Sequence, residues 1–217
     1  MVFNPESEMS ASAVTPAPTV GRPRAFDMEK ALQKALEVFW RKGYEGASLP
    51  DLCEAMGINK PSLYAAFGNK EQLFLKAIEL YENRPCAFFY PALEHATSYE
   101  VVKHMLCGAA SANADPDNPP GCVIVQGALA CSESAAFVKE VLIIKRRAGE
   151  TALCERLQRA KNEGDLPEDS EPAALARYIG AVLQGMAIQA TSGANCAELK
   201  QVAETVLSAW PGKRAEL

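Results

Sequence analysis

Only two histidines, His95 and His104, occur among the 217 residues, and the chain contains no HExxH pair, nucleophile elbow or phosphate-binding glycine loop. The common frameworks of metal, acyl-transfer and nucleotide chemistry are therefore missing, and no cofactor is expected. The seven cysteines, at positions 53, 86, 107, 122, 131, 154 and 196, are odd in number and never closer than nine residues. That spacing fits neither a disulfide framework nor a CxxC zinc cage, and it leaves thiols that pack as small apolar groups. Runs of about eighteen apolar residues are absent too. The nearest candidates, Gly121–Cys131 and Tyr178–Ala190, are short and carry Gln, Gly or Ser, so no membrane span is expected. The N-terminus has neither a basic head nor a continuous apolar segment, so no secretory leader is expected and the expected location is the cytoplasm. Positive charge is not in excess: 22 Lys and Arg face 27 Asp and Glu, for a net charge of −5. A chain so balanced does not cling indiscriminately to nucleic acid.

What is present is helical periodicity, from Asp27 onward, with no stretch of alternating apolar and polar residues to mark a strand. Residues 1–20, rich in Ser, Ala, Thr and Pro, read as a flexible tail. Asp27 caps a first helix whose Ala31, Leu32, Ala35, Leu36, Phe39 and Trp40 share one face, and Gly43 stops it. Ser48 and Asp51 form a capping box for a short second helix with Pro50 in its first turn. Asn59 caps a third over 60–66, and Asn69 a fourth that Pro85 bends or ends. Further helices are expected near 98–112, 121–131, 134–163, 171–192 and 196–209, with Ser170 and Asn195 capping the last two. The fold class is all-α.

Residues 49–67 have the internal logic of a helix-turn-helix. Cys53 is the small residue where two short helices cross, Gly57 tolerates positive φ in the turn, and Leu52, Met56, Ile58 and Leu63 pin the pair to a third helix. Three-helix cores that bind no DNA show the same spacing, so the flanks matter. Gly21-Arg22-Pro23-Arg24 is a basic arm suited to phosphates or the minor groove. Lys70 stands at a helix N-terminus, where free N–H groups already attract an anion. Net charge is +1 over residues 21–84 and −4 over residues 85–217.

Gly21–Arg84 resembles the DNA-binding domain of TetR/AcrR-family transcriptional regulators. The resemblance is carried by F-W-x-x-G-Y-x-x-x-S-L (Phe39–Leu49) and by G-I-N-K-P-S-L-Y-A-A-F-G-N-K-E-x-L-F (Gly57–Phe74). It implies an N-terminal three-helix DNA-binding domain, 21–68, joined to a C-terminal helical effector-binding and dimerisation domain, 69–217, with the helix from Lys70 bridging the two. It implies that the third helix enters the major groove with Lys60, Pro61 and Ser62 near base edges, and that Tyr64, Lys70 and Ser48 hold phosphates, while Arg22 and Arg24 on the arm suit phosphates or the minor groove. The expected partners are double-stranded operator DNA, a small-molecule effector and a second copy of the chain. The expected cavity is lined by Phe88, Phe89, Met105, Phe137, Leu142, Tyr178 and Met186, with His104 and Arg177 orienting a polar group; a packed histidine and a surface arginine are the plainer alternative. Gly180 and Gly185, inside a helix where each costs about 1 kcal/mol relative to Ala, are expected at a dimer contact together with Leu199 and Val206, or at a tight contact within one chain. The expectation is a ligand-released repressor without catalytic activity. Two alternatives stay open: a thiol sensor built on Cys107, Cys122 or Cys131, and a small all-α enzyme using His95, His104 or a cysteine.

Overall fold

The computed structural model describes residues 27–129 and 132–212. Among these there is no strand, and ten α-helices follow one another: α1 (Met28–Gly46), α2 (Leu49–Met56), α3 (Lys60–Phe67), α4 (Lys70–Asn83), α5 (Phe89–Ala92), α6 (Ser98–Asn113), α7 (Val123–Gln126), α8 (Ala136–Asn162), α9 (Pro172–Thr191) and α10 (Cys196–Ser208). A 3-10 turn, Glu133–Ala135, leads into α8.

Local chemistry accounts for the helix starts. The Asp27 carboxylate accepts from the amides of Glu29 and Lys30. Ser48–Asp51, Asn69–Gln72 and Asn195–Glu198 are reciprocal capping boxes, and Asn59 accepts from the Ser62 amide. Each satisfies N–H groups that a helix end leaves without partners. At Gly43 the backbone turns to φ +69°, ψ 177° inside the span of α1, a conformation essentially reserved for glycine.

Two expectations fail here. The helix expected over 121–131 is a single turn, α7. Gly121, at φ +87°, gives its amide to the Asn113 carbonyl, and a Cβ on it would come within 3.0 Å of the Ala187 carbonyl. At the far end the Gly127 carbonyl accepts from Tyr44, so both ends of the turn are held by other helices. The second concerns Ser170: the residue in the capping position of α9 is Glu171, with no side-chain cap bond, while the Ser170 carbonyl accepts from Lys161. Pro172 begins the helix instead, its fixed φ suiting the first turn.

Packing forms two apolar clusters. The first gathers Leu36, Phe39, Trp40, Leu52, Leu63, Phe74 and Tyr81 from α1–α4, and it extends to Val123, Val138 and Leu142. The core of α1–α4 thus continues past Gly68 into α7 and α8. Phe39 and Phe74 meet edge to face at 5.0 Å, and so do Trp40 and Tyr81 at 4.8 Å, the favoured aromatic geometry. The second cluster joins α6, α9, α10 and the end of α8 through Val102, Met105, Leu106, Leu157, Ile179, Met186, Leu199 and Trp210. Beside it the buried Arg156 donates to the carbonyls of Leu93, His95 and Ala96, which locks the turn after α5.

Candidate nucleic-acid interface and cavity

The α2–α3 unit is built as its sequence dictates. Gly57 sits at φ +67°, ψ 29°, and its amide caps carbonyls of Cys53 and Glu54. A Cβ there would meet nothing within 4 Å, so the requirement for glycine is conformational rather than steric. Leu52, Met56, Leu63 and Phe67 are buried, whereas Asn59, Lys60, Pro61, Tyr64 and Ala65 are exposed. The start of α3 thus projects from its own three-helix cluster. Asn59 spends its side-chain oxygen on the Ser62 amide at 2.9 Å, and Pro61 brings no N–H to a turn that has no acceptor for one. Tyr64, 43% exposed, lies near the Lys60 ammonium, 5.9 Å from its ring centroid.

Lys70 lies with its ammonium 4.4 Å from the Tyr44 ring centroid, a cation–π contact. Burial lowers its pKa from the ordinary lysine value, with Glu45 opposing the shift. Ser48 is less available than its sequence position implies. Its hydroxyl donates to Asp51 at 2.7 Å, and Asp51 also pairs with Lys42 at 2.9 Å. Bonds from Lys42 and then Ser48 hold the Asp51 carboxyl at about 2. Lys42, which sequence reasoning passed over, thus stands at this end of α2. Arg22 and Arg24 lie outside the described residues.

A cavity of about 150 Å³ opens between α4, α5, α6, α8 and α9 and is closed on one side by residues 122–125. Phe88 and Phe89 line it. Their rings are seated against glycines of other helices: a Cβ on Gly108 would come within 2.5 Å of Phe88, and one on Gly149 within 3.2 Å of Phe89. The other expected lining residues lie elsewhere. Met105, Leu142 and Met186 are buried in the two cores. Phe137 and Tyr178 are 52% and 48% exposed, because their helical positions face outward. His104 is exposed and stacked on His95 at 3.6 Å, with Nδ1 bound to the Glu100 carbonyl. Arg177 pairs with Glu150 at 3.2 Å and does not reach the lining.

Gly180 lines the cavity, whereas Gly185 is exposed on α9. Leu199 and Val206 are buried in the chain's own second core, because the stripe they occupy on α10 packs on α6 and α9. They are not on its free face. Tyr178 and Ile188 on α9 and Val202 on α10 are apolar and exposed.

Sequence reasoning missed Tyr81, Cys86, Asn113, Ile124 and Arg146 in the lining. One signal was available: Arg146 continues the α8 stripe of Leu142, Gly149 and Leu153 at i−4, i+3 and i+7. Of the three cysteines expected as sensors, only Cys122 reaches the cavity; Cys107 is not in the lining, and Cys131 lies outside the described residues. The Tyr81 hydroxyl is hydrogen-bonded to the Cys122 sulfur. Burial pushes the Cys122 thiol up and the Cys86 thiol up to about 12, which keeps both protonated and unreactive near neutral pH.

Comparison with known proteins agrees with this geometry. The family model "Bacterial regulatory proteins, tetR family" matches residues 31–77. The HTH-type transcriptional repressor ComR of Escherichia coli is 33% identical over 88% of this chain and 92% of its own length. The HTH-type transcriptional regulator YezE of Bacillus subtilis is 34% identical over 74% of this chain and 84% of its own. The solved structure of a cysteine mutant of the TetR-family regulator CifR, complexed with 26 bp operator DNA, superposes with a TM-score of 0.83 at 38% identity, covering 88% of this chain and all of that one. Exposed α3, Gly-turned α2–α3 unit and helical C-terminal half thus belong to one scheme, and the chain is a member of the TetR family of DNA-binding, helix-turn-helix transcriptional regulators.

Proposed function

We infer that this protein is a cytoplasmic repressor that binds a palindromic operator as a homodimer and is released by a small molecule seated in the cavity. The observation that carries this reading is the exposed start of α3, where Asn59, Lys60 and Pro61 stand clear of neighbouring protein. Lys60 can donate to guanine, Pro61 can touch a thymine methyl, and Tyr64 and Lys70 can reach phosphates. Residues 21–68 would serve DNA and residues 69–217 the effector and the dimer, with α4 spanning both. The relatives' names support repression.

One monomer contacts too few bases for specificity; two copies of α3 have to reach successive major grooves, about 34–36 Å apart. The exposed apolar residues Tyr178, Ile188 and Val202 on α9 and α10, with the exposed Gly185 on α9, favour a second copy there. A ligand that prefers a conformer with the wrong α3 spacing weakens operator binding, and a coupling of about 1–3 kcal/mol is ordinary for such a switch. The mechanical route is short. Tyr81 of α4 touches Cys122, and Gln126 donates to the Trp40 carbonyl.

The test is a mobility-shift titration on the DNA upstream of the protein's own gene. A palindrome-dependent, salt-sensitive complex that Lys60→Ala or Tyr64→Ala weakens is the expected result. Tight binding indifferent to both substitutions overturns the assignment of α3. No catalytic role is assigned to His95, His104 or any cysteine.

A further inference from the structure

One of the two cations that line the cavity is paired with neither of its two carboxylates. Glu82, Lys145, Arg146 and Glu150 line it. Glu82 is taken by Lys145 at 2.6 Å, and Glu150 is taken by Arg177, from outside the lining, at 3.2 Å. Arg146 is the odd cation. Its Nη1 donates to the carbonyl of Ile124 at 2.6 Å, a neutral acceptor, and among the described residues no carboxylate pairs with it. The ionisable group acting on it is the Cys122 thiol, which burial keeps in its neutral form. A guanidinium stays charged and offers five N–H donors in a planar fork that matches a carboxylate. One donor is spent on Ile124.

The remainder of the wall is mostly apolar and aromatic, with Phe88, Phe89, Leu153 and Leu183 prominent, and adds the amides of Asn113 and Gln184. A space of about 150 Å³ holds one benzene-sized group. A cationic ligand would meet Arg146 head on.

We propose that the cavity binds a small organic carboxylate, its ring or short chain among the apolar side chains and its carboxylate on Arg146. This deepens the effector reading above and rests on it for the consequence of binding. Arg146 also anchors the carbonyl of Ile124, so an arriving carboxylate competes for the same group that fixes the 122–127 segment, and that segment is bonded to α1.

The experiment is calorimetric titration of the full chain with two matched pairs, benzoate against benzamide and hexanoate against 1-hexanol, followed by operator binding in the presence of each. At least one carboxylate should bind tenfold or more tightly than its neutral counterpart, a comparison that needs no variant. Arg146→Gln should remove that preference and leave the neutral probes unchanged, while Arg146→Lys, which keeps the charge, should retain part of it. Neutral probes binding as well as or better than the carboxylates overturns the ligand class and leaves the cavity reading standing. Carboxylate affinity unchanged in Arg146→Gln overturns the role of Arg146. No binding by any probe, with operator affinity intact, overturns both the class and the cavity as an effector site. Carboxylate binding without operator release upholds the class and removes the release reading.

Discussion

The backbone N–H of Tyr44 donates to the carbonyl of Gly127 over 2.9 Å, and this bond ties the end of α1 to the segment that walls the cavity. Gly43, one residue earlier, makes it possible. Its φ of +69° swings the chain out of the helix, and a Cβ on it would lie 3.2 Å from the same Gly127 carbonyl.

Gly43→Ala should therefore act on both sides of the joint. The glycine-only backbone conformation costs about 1–3 kcal/mol for another residue, and the contact with Gly127 adds to that. Urea unfolding should show a loss of stability in this range. At a temperature where the variant remains folded, its operator affinity should respond less to any cavity ligand than the wild type's. An unchanged unfolding midpoint would mean that the joint relaxes without cost.

The DNA face makes a prediction through salt. If Lys70 meets a phosphate, Lys70→Ala should weaken operator binding about equally across operator variants and lower the slope of log K against log salt by about 1. Lys60→Ala should instead relax preference at one base position, because a lysine reading guanine discriminates by about 1–3 kcal/mol. Anisotropy titrations at several salt concentrations separate the two. Equal effects on slope and specificity would contradict the division between α3 and the start of α4.

Cys86 and Cys122 should be chemically silent near neutral pH. Diamide or peroxide at pH 7 should release no operator DNA through either thiol, and iodoacetamide should label the two only when the chain is unfolded, because burial keeps them protonated. The Cys86 thiol shifts from the ordinary 9.0 to about 12. Its stabilising contribution is thus complete below pH 9 and is lost as pH rises toward about 12, since the unfolded chain ionises first. Cys86→Ala should flatten that alkaline loss of stability in urea titrations. Oxidant-driven release that Cys122→Ser abolishes would reinstate the thiol sensor.

Arg156 is a structural counterpart to Arg146. It is buried and satisfies three carbonyls of the turn at 93–96. Arg156→Met leaves those acceptors with fewer partners, and unpaired buried polar groups cost about 1–3 kcal/mol each. A destabilisation of about 3 kcal/mol in urea unfolding is expected, with the α1–α3 surface unchanged and operator binding retained at low temperature.

These residues also show what a linear sequence makes legible. Asp27, Ser48, Asn59, Asn69 and Asn195 cap helices that begin within a few residues of them, and Gly57 meets a purely local demand for positive φ, so the helix-turn-helix could be read from spacing. The 121–131 segment could not, because Gly121 and Gly127 answer to Asn113 and Tyr44, partners that only the folded chain brings near. The cavity lining depends on helix crossing. Phe88 and Phe137 are equally aromatic on paper, yet one faces Gly108 and the other faces solvent. Arg146 was concealed for a further reason: a charge on an apolar stripe reads as a surface residue until its missing counter-ion is seen.

Gly185 provides a test of the proposed dimer that a single chain cannot pass by accident. It lies within α9, exposed, and an added Cβ meets nothing within 4 Å. If the chain acts alone, Gly185→Ala should raise stability by about 1 kcal/mol, the ordinary gain of helix propensity. If a second copy packs on this face, the added methyl enters a close helix contact, dimer affinity falls, and any gain in the monomer is offset. Ile188→Glu, on the same helix and 43% exposed, should break the contact outright by placing a charge in an apolar interface. Light scattering should then report 23.4 kDa, the mass of one chain, rather than about twice that. Operator affinity should fall further than in Lys60→Ala, because losing the partner removes every contact of one half-site. A Gly185→Ala variant that is simply more stable, with an Ile188→Glu variant of unaltered mass and affinity, would move the interface away from this face of α9.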